Sequence, residues 1–282
     1  MNMRASLFLI LAFCCIAASA QELYVFSEPA SNMPARSMSA RFSAYFARDS
    51  ANDRLGQRYR PEVMFGFSKK LMLHFSATFA NMHSQNLRFE SLSTYLKWRF
   101  YSRDDIHRHF RMALFADATR SRAPFEFNEI SLVGDKSGVQ AGLILTQLTN
   151  RLAVSGTLSH TQVFHHSRTD KVLYVPERYY QSFDYSVSAG YLVLPKEYTD
   201  YRQTNFNVYL EMLGQRLLDV NKHYLDLAPA AQFIFNSNLK LNVGYRFQLS
   251  SNMSRMGRDS WLISLERIFL GALPKKQARQ NQ

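Results

Sequence analysis

Hydrophobic and polar residues alternate one by one over long stretches of this chain. In residues 239–250, Leu239, Leu241, Val243, Tyr245, Phe247 and Leu249 interleave with Lys240, Asn242, Gly244, Arg246, Gln248 and Ser250. A strand points successive side chains to opposite faces, so this segment has one apolar and one polar face. Strands of water-soluble domains usually run about 5–6 residues, whereas one that crosses a bilayer needs about 9–11. The pattern recurs and predicts about twelve strands, near 38–46, 61–67, 71–79, 92–100, 110–119, 139–148, 151–164, 183–193, 205–212, 224–235, 239–250 and 260–269. Pro229 lies inside the tenth, where its missing N–H predicts a local bulge.

The links carry a second signal. Those after strands two, six and ten are very short, those after four and eight are modest, and the remaining ones are mostly longer and polar. Short turns at one end and long loops at the other are the habit of membrane barrels. The expected fold is therefore all-β: an antiparallel transmembrane β-barrel of about twelve strands, with short periplasmic turns and longer extracellular loops. An even strand count puts both ends of the barrel in the periplasm. The rival is a water-soluble two-sheet sandwich, whose strands also alternate. Strand length tilts the balance to the barrel, as do polar faces rich in Ser, Thr, Asn and Gly. So do apolar faces ending in aromatics such as Phe79, Trp98, Phe100, Phe110 and Trp261.

Residues 1–20 read as a signal peptide: Arg4, an apolar stretch from Leu7 to Ile16, and Ala18-Ser19-Ala20 before Gln21. Phe13 before Cys14-Cys15 is too bulky for a lipid-attachment site, and both cysteines leave with the signal. Residues 21–36, with Pro29 and Pro34, read as a periplasmic lead-in. Residues 37–270 form the barrel and 271–282 a polar tail. No apolar run is long enough for a spanning helix. Aromatics make up 14% of the chain and the formal net charge is +12, which suits anionic headgroups or solutes.

The chain resembles a family of outer-membrane β-barrel proteins of the Bacteroidetes, porin-like and without an established activity. The resemblance begins at Glu22-Leu23-Tyr24-Val25-Phe26-Ser27-Glu28-Pro29-Ala30-Ser31-Asn32-Met33-Pro34-Ala35. It continues at Lys69-Lys70-Leu71-Met72-Leu73-His74, His109-Phe110-Arg111-Met112, Leu194-Pro195-Lys196-Glu197-Tyr198 and Phe235-Asn236-Ser237. It implies the fold and the outer membrane, and it brings no catalytic residues.

Parity places Lys97, Arg99, Arg111 and Arg246 on the polar faces, with His74, Asp117 and Glu211. These are the candidate lumen-lining residues, able to form a narrow, mildly anion-preferring pathway or to pair off and brace the wall. The long connections are basic. Arg54, Arg58, Arg120, Arg122, Arg255 and Arg258 are candidate contacts for lipid or lipopolysaccharide phosphate. His160, His165 and His166, with Met253 and Met256, lack the acidic or cysteine spacing of a closed metal site. Ser159-His160 would face opposite sides of a strand, and no Gly-x-Ser-x-Gly elbow is present. The expected role is passage or binding of a small hydrophilic solute, with no cofactor and no nucleic-acid partner. The alternatives are a plugged structural barrel that contacts lipopolysaccharide and an outer-membrane hydrolase.

Overall fold

The computed structural model describes residues 24–48, 54–164, 177–197, 200 and 202–274. The expected signal peptide, His165, His166 and the end of the tail lie outside them. Twelve strands form one sheet: β1 (Ser37–Arg48), β2 (Leu55–Gly66), β3 (Leu71–Ala80), β4 (Arg88–Asp104), β5 (Arg108–Ser121), β6 (Gly138–Thr149), β7 (Leu152–Val163), β8 (Gln181–Leu194), β9 (Asn205–Leu217), β10 (His223–Phe235), β11 (Leu239–Ser251) and β12 (Asp259–Phe269). Each pairs antiparallel with its neighbours in sequence, and β1 closes on β12 from Met38 opposite Phe269 to Ala47 opposite Ser260. Closure removes both sheet edges, so no strand is left with unpaired backbone groups on one side.

The alternation sorts the side chains. Ser39, Ser76, Ser93, Ser155, Ser188 and Ser264 are buried inside, whereas Phe42, Phe75, Leu92, Trp98, Leu158, Leu210 and Leu265 are exposed outside. Leu241 sits laterally between Phe233 and Leu265 on neighbouring strands, with no second sheet facing it among the described residues. Aromatic pairs gather toward both rims. Trp98–Phe100, Tyr101–Phe110 and Phe206–Phe233 lie toward the short-turn end. Phe46–Tyr59, Phe79–Phe89 and Tyr245–Trp261 lie toward the long-loop end. The β10–β11 turn has both central residues, Asn236 and Ser237, at positive φ, which matches the twist of a tight hairpin.

Three strand details depart from the sequence expectation. β2 starts at Leu55 rather than near residue 61, so Arg58 and Arg60 belong to the wall and not to a loop. Their side chains share the inner face of β2 with Glu62, and only from Val63 on is the outer face apolar enough to read as a strand. β9 continues past Met212 to Leu217, whose side chain is buried against Ile130, Val163 and Tyr179. There the inside is apolar, which breaks the alternation. The bulge expected at Pro229 is displaced: the register shift falls between Leu225 and Asp226. Pro229 keeps its place opposite Leu210 of β9, and Ala228 and Pro229 are simply skipped in the β11 ladder.

Candidate functional site

Residues 24–36, read from the sequence as a periplasmic lead-in, run inside the barrel from its short-turn end. Glu211 of β9 is the anchor. Its Oε1 accepts the N–H groups of Val25 (2.8 Å) and Phe26 (2.9 Å), and its Oε2 accepts Ser27 N–H (2.8 Å) and Ser27 Oγ (2.6 Å). Three successive amides closing on one carboxylate make a backbone anion nest occupied by the protein's own side chain. Lys97, buried on β4, donates to Glu28 Oε2 (3.0 Å) and to the Pro29 carbonyl (2.8 Å). Thr146 Oγ1 accepts Ala30 N–H, and Arg111 donates to Ser31 Oγ, each at 2.8 Å. Apolar contacts complete the docking: Tyr24 packs on Tyr209, Leu148 and Ala153, and Ala30 packs on Ala113 and Ile144. In Gly142-Leu143-Ile144-Leu145, Ile144 points inward to meet Ala30.

From the long-loop end, the β5–β6 connection, residues 122–137, also enters the lumen. The Ile130 backbone is clasped by Gln215, whose Oε1 accepts its N–H (2.9 Å) and whose Nε2 donates to its carbonyl (2.7 Å). Glu129 accepts Arg255 Nε (2.9 Å) and Arg246 Nη2 (3.4 Å). Both guanidiniums turn also to the fully buried Asp226, Arg246 Nε at 2.5 Å and Arg255 Nη2 at 2.7 Å. The Tyr224 ring lies under both, 5.2 Å from Arg246 and 4.1 Å from Arg255. Burial alone would raise the Glu129 carboxyl, but the two arginines hold it below its ordinary value. Lys136 is pulled down to about 8 by burial, with Asp135 and Glu129 opposing the drop.

Between the two intrusions lies a chamber of about 320 Å³. Phe26, Ser27 and Glu28 close it on one side and Glu129 to Val133 on the other. Its wall carries five carboxylates (Glu28, Glu62, Asp117, Glu129, Asp184) against three guanidiniums (Arg41, Arg60, Arg246), and His74. Most are paired across the wall. Glu62 faces Arg41 (2.5 Å), Arg60 (3.7 Å) and His74 (3.1 Å). Asp184 instead accepts hydrogen bonds from Thr161, Ser182, Gln215 and Gln140.

The structure places the sequence candidates as follows. His74, Asp117 and Arg246 border the chamber, and Glu211 and Lys97 hold the lead-in. Arg111 and Asp104 meet at 2.8 Å toward the short-turn end, where Arg99 is half-buried beside the β4 irregularity. The basic residues are thus matched by acids instead of forming a ring of free positive charge. Among the expected phosphate contacts, Arg54 donates to the carbonyls of Ser84, Asn81 and Met82, and Arg58 pairs with Asp135. Arg255 is committed to Glu129 and Asp226. Protein groups engage these three because the loops fold over and into the barrel mouth. Arg120, Arg122 and Arg258 are exposed, with Arg122 also 5.7 Å from the Phe89 ring. Ser159 is buried inside while His160 is exposed outside.

Gly244 had shown only as a small residue on a polar face, and its purpose is now visible. An ideal Cβ there would lie 2.5 Å from a Phe26 ring carbon and 3.2 Å from Val25 Cγ1. Gly244→Val is expected to weaken lead-in docking by about 1–3 kcal/mol, as overpacking does. Limited proteolysis should then cut the lead-in sooner. Protection equal to wild type would mean that Phe26 does not rest on this wall.

No family model matches the chain, and no curated protein matches it. Solved structures do. The COG4313 outer membrane channel from Pseudomonas putida F1 aligns over 88% of this chain and 100% of its own, at 10% identity and a TM-score of 0.55. The KdgM porin aligns over 82% and 99% at 12% identity, TM-score 0.46. The NanC porin aligns over 82% and 98% at 11% identity, TM-score 0.46. The first of these shares the fold, a closed antiparallel β-barrel.

Proposed function

We propose that this chain is an outer-membrane barrel that takes a small hydrophilic solute into its polar lumen, along a passage narrowed by the lead-in and the β5–β6 loop. The observation that carries this reading is the polar chamber between those two segments, inside a wall whose outer face is apolar. A barrel of about twelve strands is wide enough for a polar interior, and the two intrusions set the width. With five carboxylates and three guanidiniums around the chamber, negative charge is not what selects the solute; size and hydrogen bonding are. Outside, the exposed Arg120, Arg122 and Arg258 near the loop rim suit the phosphates of lipid and lipopolysaccharide.

Planar-bilayer recording tests the proposal. The intact protein is expected to give small, intermittent conductance steps with weak ion selectivity, and its liposomes should swell in small neutral sugars. A variant lacking residues 24–33 should conduct continuously. Silence from both proteins at every salt and voltage would sink the passage and favour the plugged structural barrel. Strong anion selectivity would sink the account of the chamber.

A further inference from the structure

A second cluster lies above the lumen chamber, where the β3–β4 connection, the start of β4 and the β5–β6 loop converge. His83, Glu90 and Asp135 each offer one ligand atom, and these atoms all lie within 4.8 Å of one another. They come from three separate parts of the chain, and no local spacing in the sequence links them.

Glu90 is the telling member. It is 0% exposed, and both carboxylate oxygens are shielded from solvent without a hydrogen-bond partner. A carboxylate in that state is strongly disfavoured unless a proton or a cation joins it. The surroundings are built to approach it closely. Gly134 has φ +94°, and an ideal Cβ there would lie 2.8 Å from Thr78 Cγ2 and 3.3 Å from Glu90 Oε2. Glycine lets the loop backbone close over Glu90 at this point. The imidazole is held at both nitrogens, Nδ1 at 2.7 Å from Glu126 Oε2 and Nε2 at 3.1 Å from Asp135 Oδ1. A carboxylate on the far nitrogen is the arrangement that orients metal-binding histidines. Arg58 pairs with Asp135, and Arg88 and Lys136 also act on these carboxylates. The positive charge nearby is therefore shared among three acids.

We infer that His83, Glu90 and Asp135 form a binding site for a divalent transition-metal ion, with zinc the best fit. One imidazole and two carboxylates match zinc's preference for mixed nitrogen and oxygen donors, whereas calcium takes about 6–8 oxygens. Three protein ligands leave a fourth position for water, supplied from the adjoining cavity of about 210 Å³, which His83, Asp135 and Glu126 line. A bound ion ties the β5–β6 loop to the β3–β4 connection and so fixes the upper constriction.

The test is calorimetric titration of the full chain in detergent, stripped by a chelator, with zinc and then calcium. One zinc per chain is expected, with calcium weaker. Glu90→Gln and His83→Ala should each lower zinc affinity at least tenfold. Glu90→Gln also removes a buried uncompensated charge, so its metal-free Tm should equal or exceed that of wild type. Zinc should raise the Tm of wild type and not of this variant. Should Glu90→Gln fail to fold, Asp135→Asn provides the same affinity reading, without the gain in metal-free Tm because Asp135 is paired with Arg58. Equal zinc affinity in wild type and both variants would overturn the site and place binding on other histidines. Absence of zinc binding would overturn it as well, and calcium binding that survives His83→Ala would overturn the choice of metal.

Discussion

Under the proposed function, Glu211→Ala is expected to give a channel that stays open, with mean conductance several-fold above wild type. The Glu211 carboxylate accepts three backbone amides and the Ser27 hydroxyl from the lead-in. Hydrogen bonds to a charged group contribute about 1.5–3 kcal/mol each when intact. Water in the lumen recovers part of that once the acceptor is gone, so a net loss of about 3–5 kcal/mol in docking is a fair expectation. Lys97 and Thr146 still hold Glu28, Pro29 and Ala30, so the segment should loosen from its Tyr24 end first. If Glu211 acts through the lead-in, Glu211→Ala combined with deletion of residues 24–33 should conduct like the deletion alone, since two changes along one route do not add. Wild-type conductance for Glu211→Ala, beside a raised conductance for the deletion, would show that the nest is not what holds the segment.

Asp226→Ala is expected to destabilise the barrel by about 3–5 kcal/mol, the usual consequence of removing one partner from a buried ionic cluster. The carboxylate is fully buried and faces both Arg246 and Arg255, leaving Glu129 as the other acid in direct contact with them. Its loss places two guanidiniums against one carboxylate over the Tyr224 ring. Urea unfolding of the reconstituted protein measures the effect, and limited proteolysis should cut the β5–β6 loop sooner. Adding Arg246→Met restores one acid against one base and is expected to recover about 1–2 kcal/mol, which makes the pair non-additive. Stability within about 1 kcal/mol of wild type for Asp226→Ala would mean that solvent already screens this cluster.

The two expectations share a physical root that the sequence expressed unevenly. Polar residues on the inner face were legible one by one: Lys97, Arg111, Glu211 and Arg246 all stand inward as parity requires. Their partners were not. Asp226 lies twenty residues before Arg246, and Glu129 lies in a loop that could have gone anywhere. The basic residues therefore suited a charged ring and a braced wall alike, and the structure pairs Lys97, Arg111 and Arg246 with acids. Arg54, Arg58 and Arg255 looked like lipid-facing loop residues for the same reason. Glu90 offered still less, because a lone glutamate on a strand carries no mark of what closes over it.

Side-chain alternation and the lengths of the links by themselves determined a count of about twelve strands, the antiparallel order and which face is apolar, because period two and turn chemistry act between residues close in the chain. They could not decide what fills the interior, since a polar inner face suits water, a folded-in loop or a docked terminus equally well. Only the tertiary structure settled that, by bringing the amides of Val25, Phe26 and Ser27 to Glu211 and the Ile130 backbone to Gln215 across 186, 185, 184 and 85 positions of sequence. Contacts over such distances depend on the closed shape of the barrel, which no local pattern encodes.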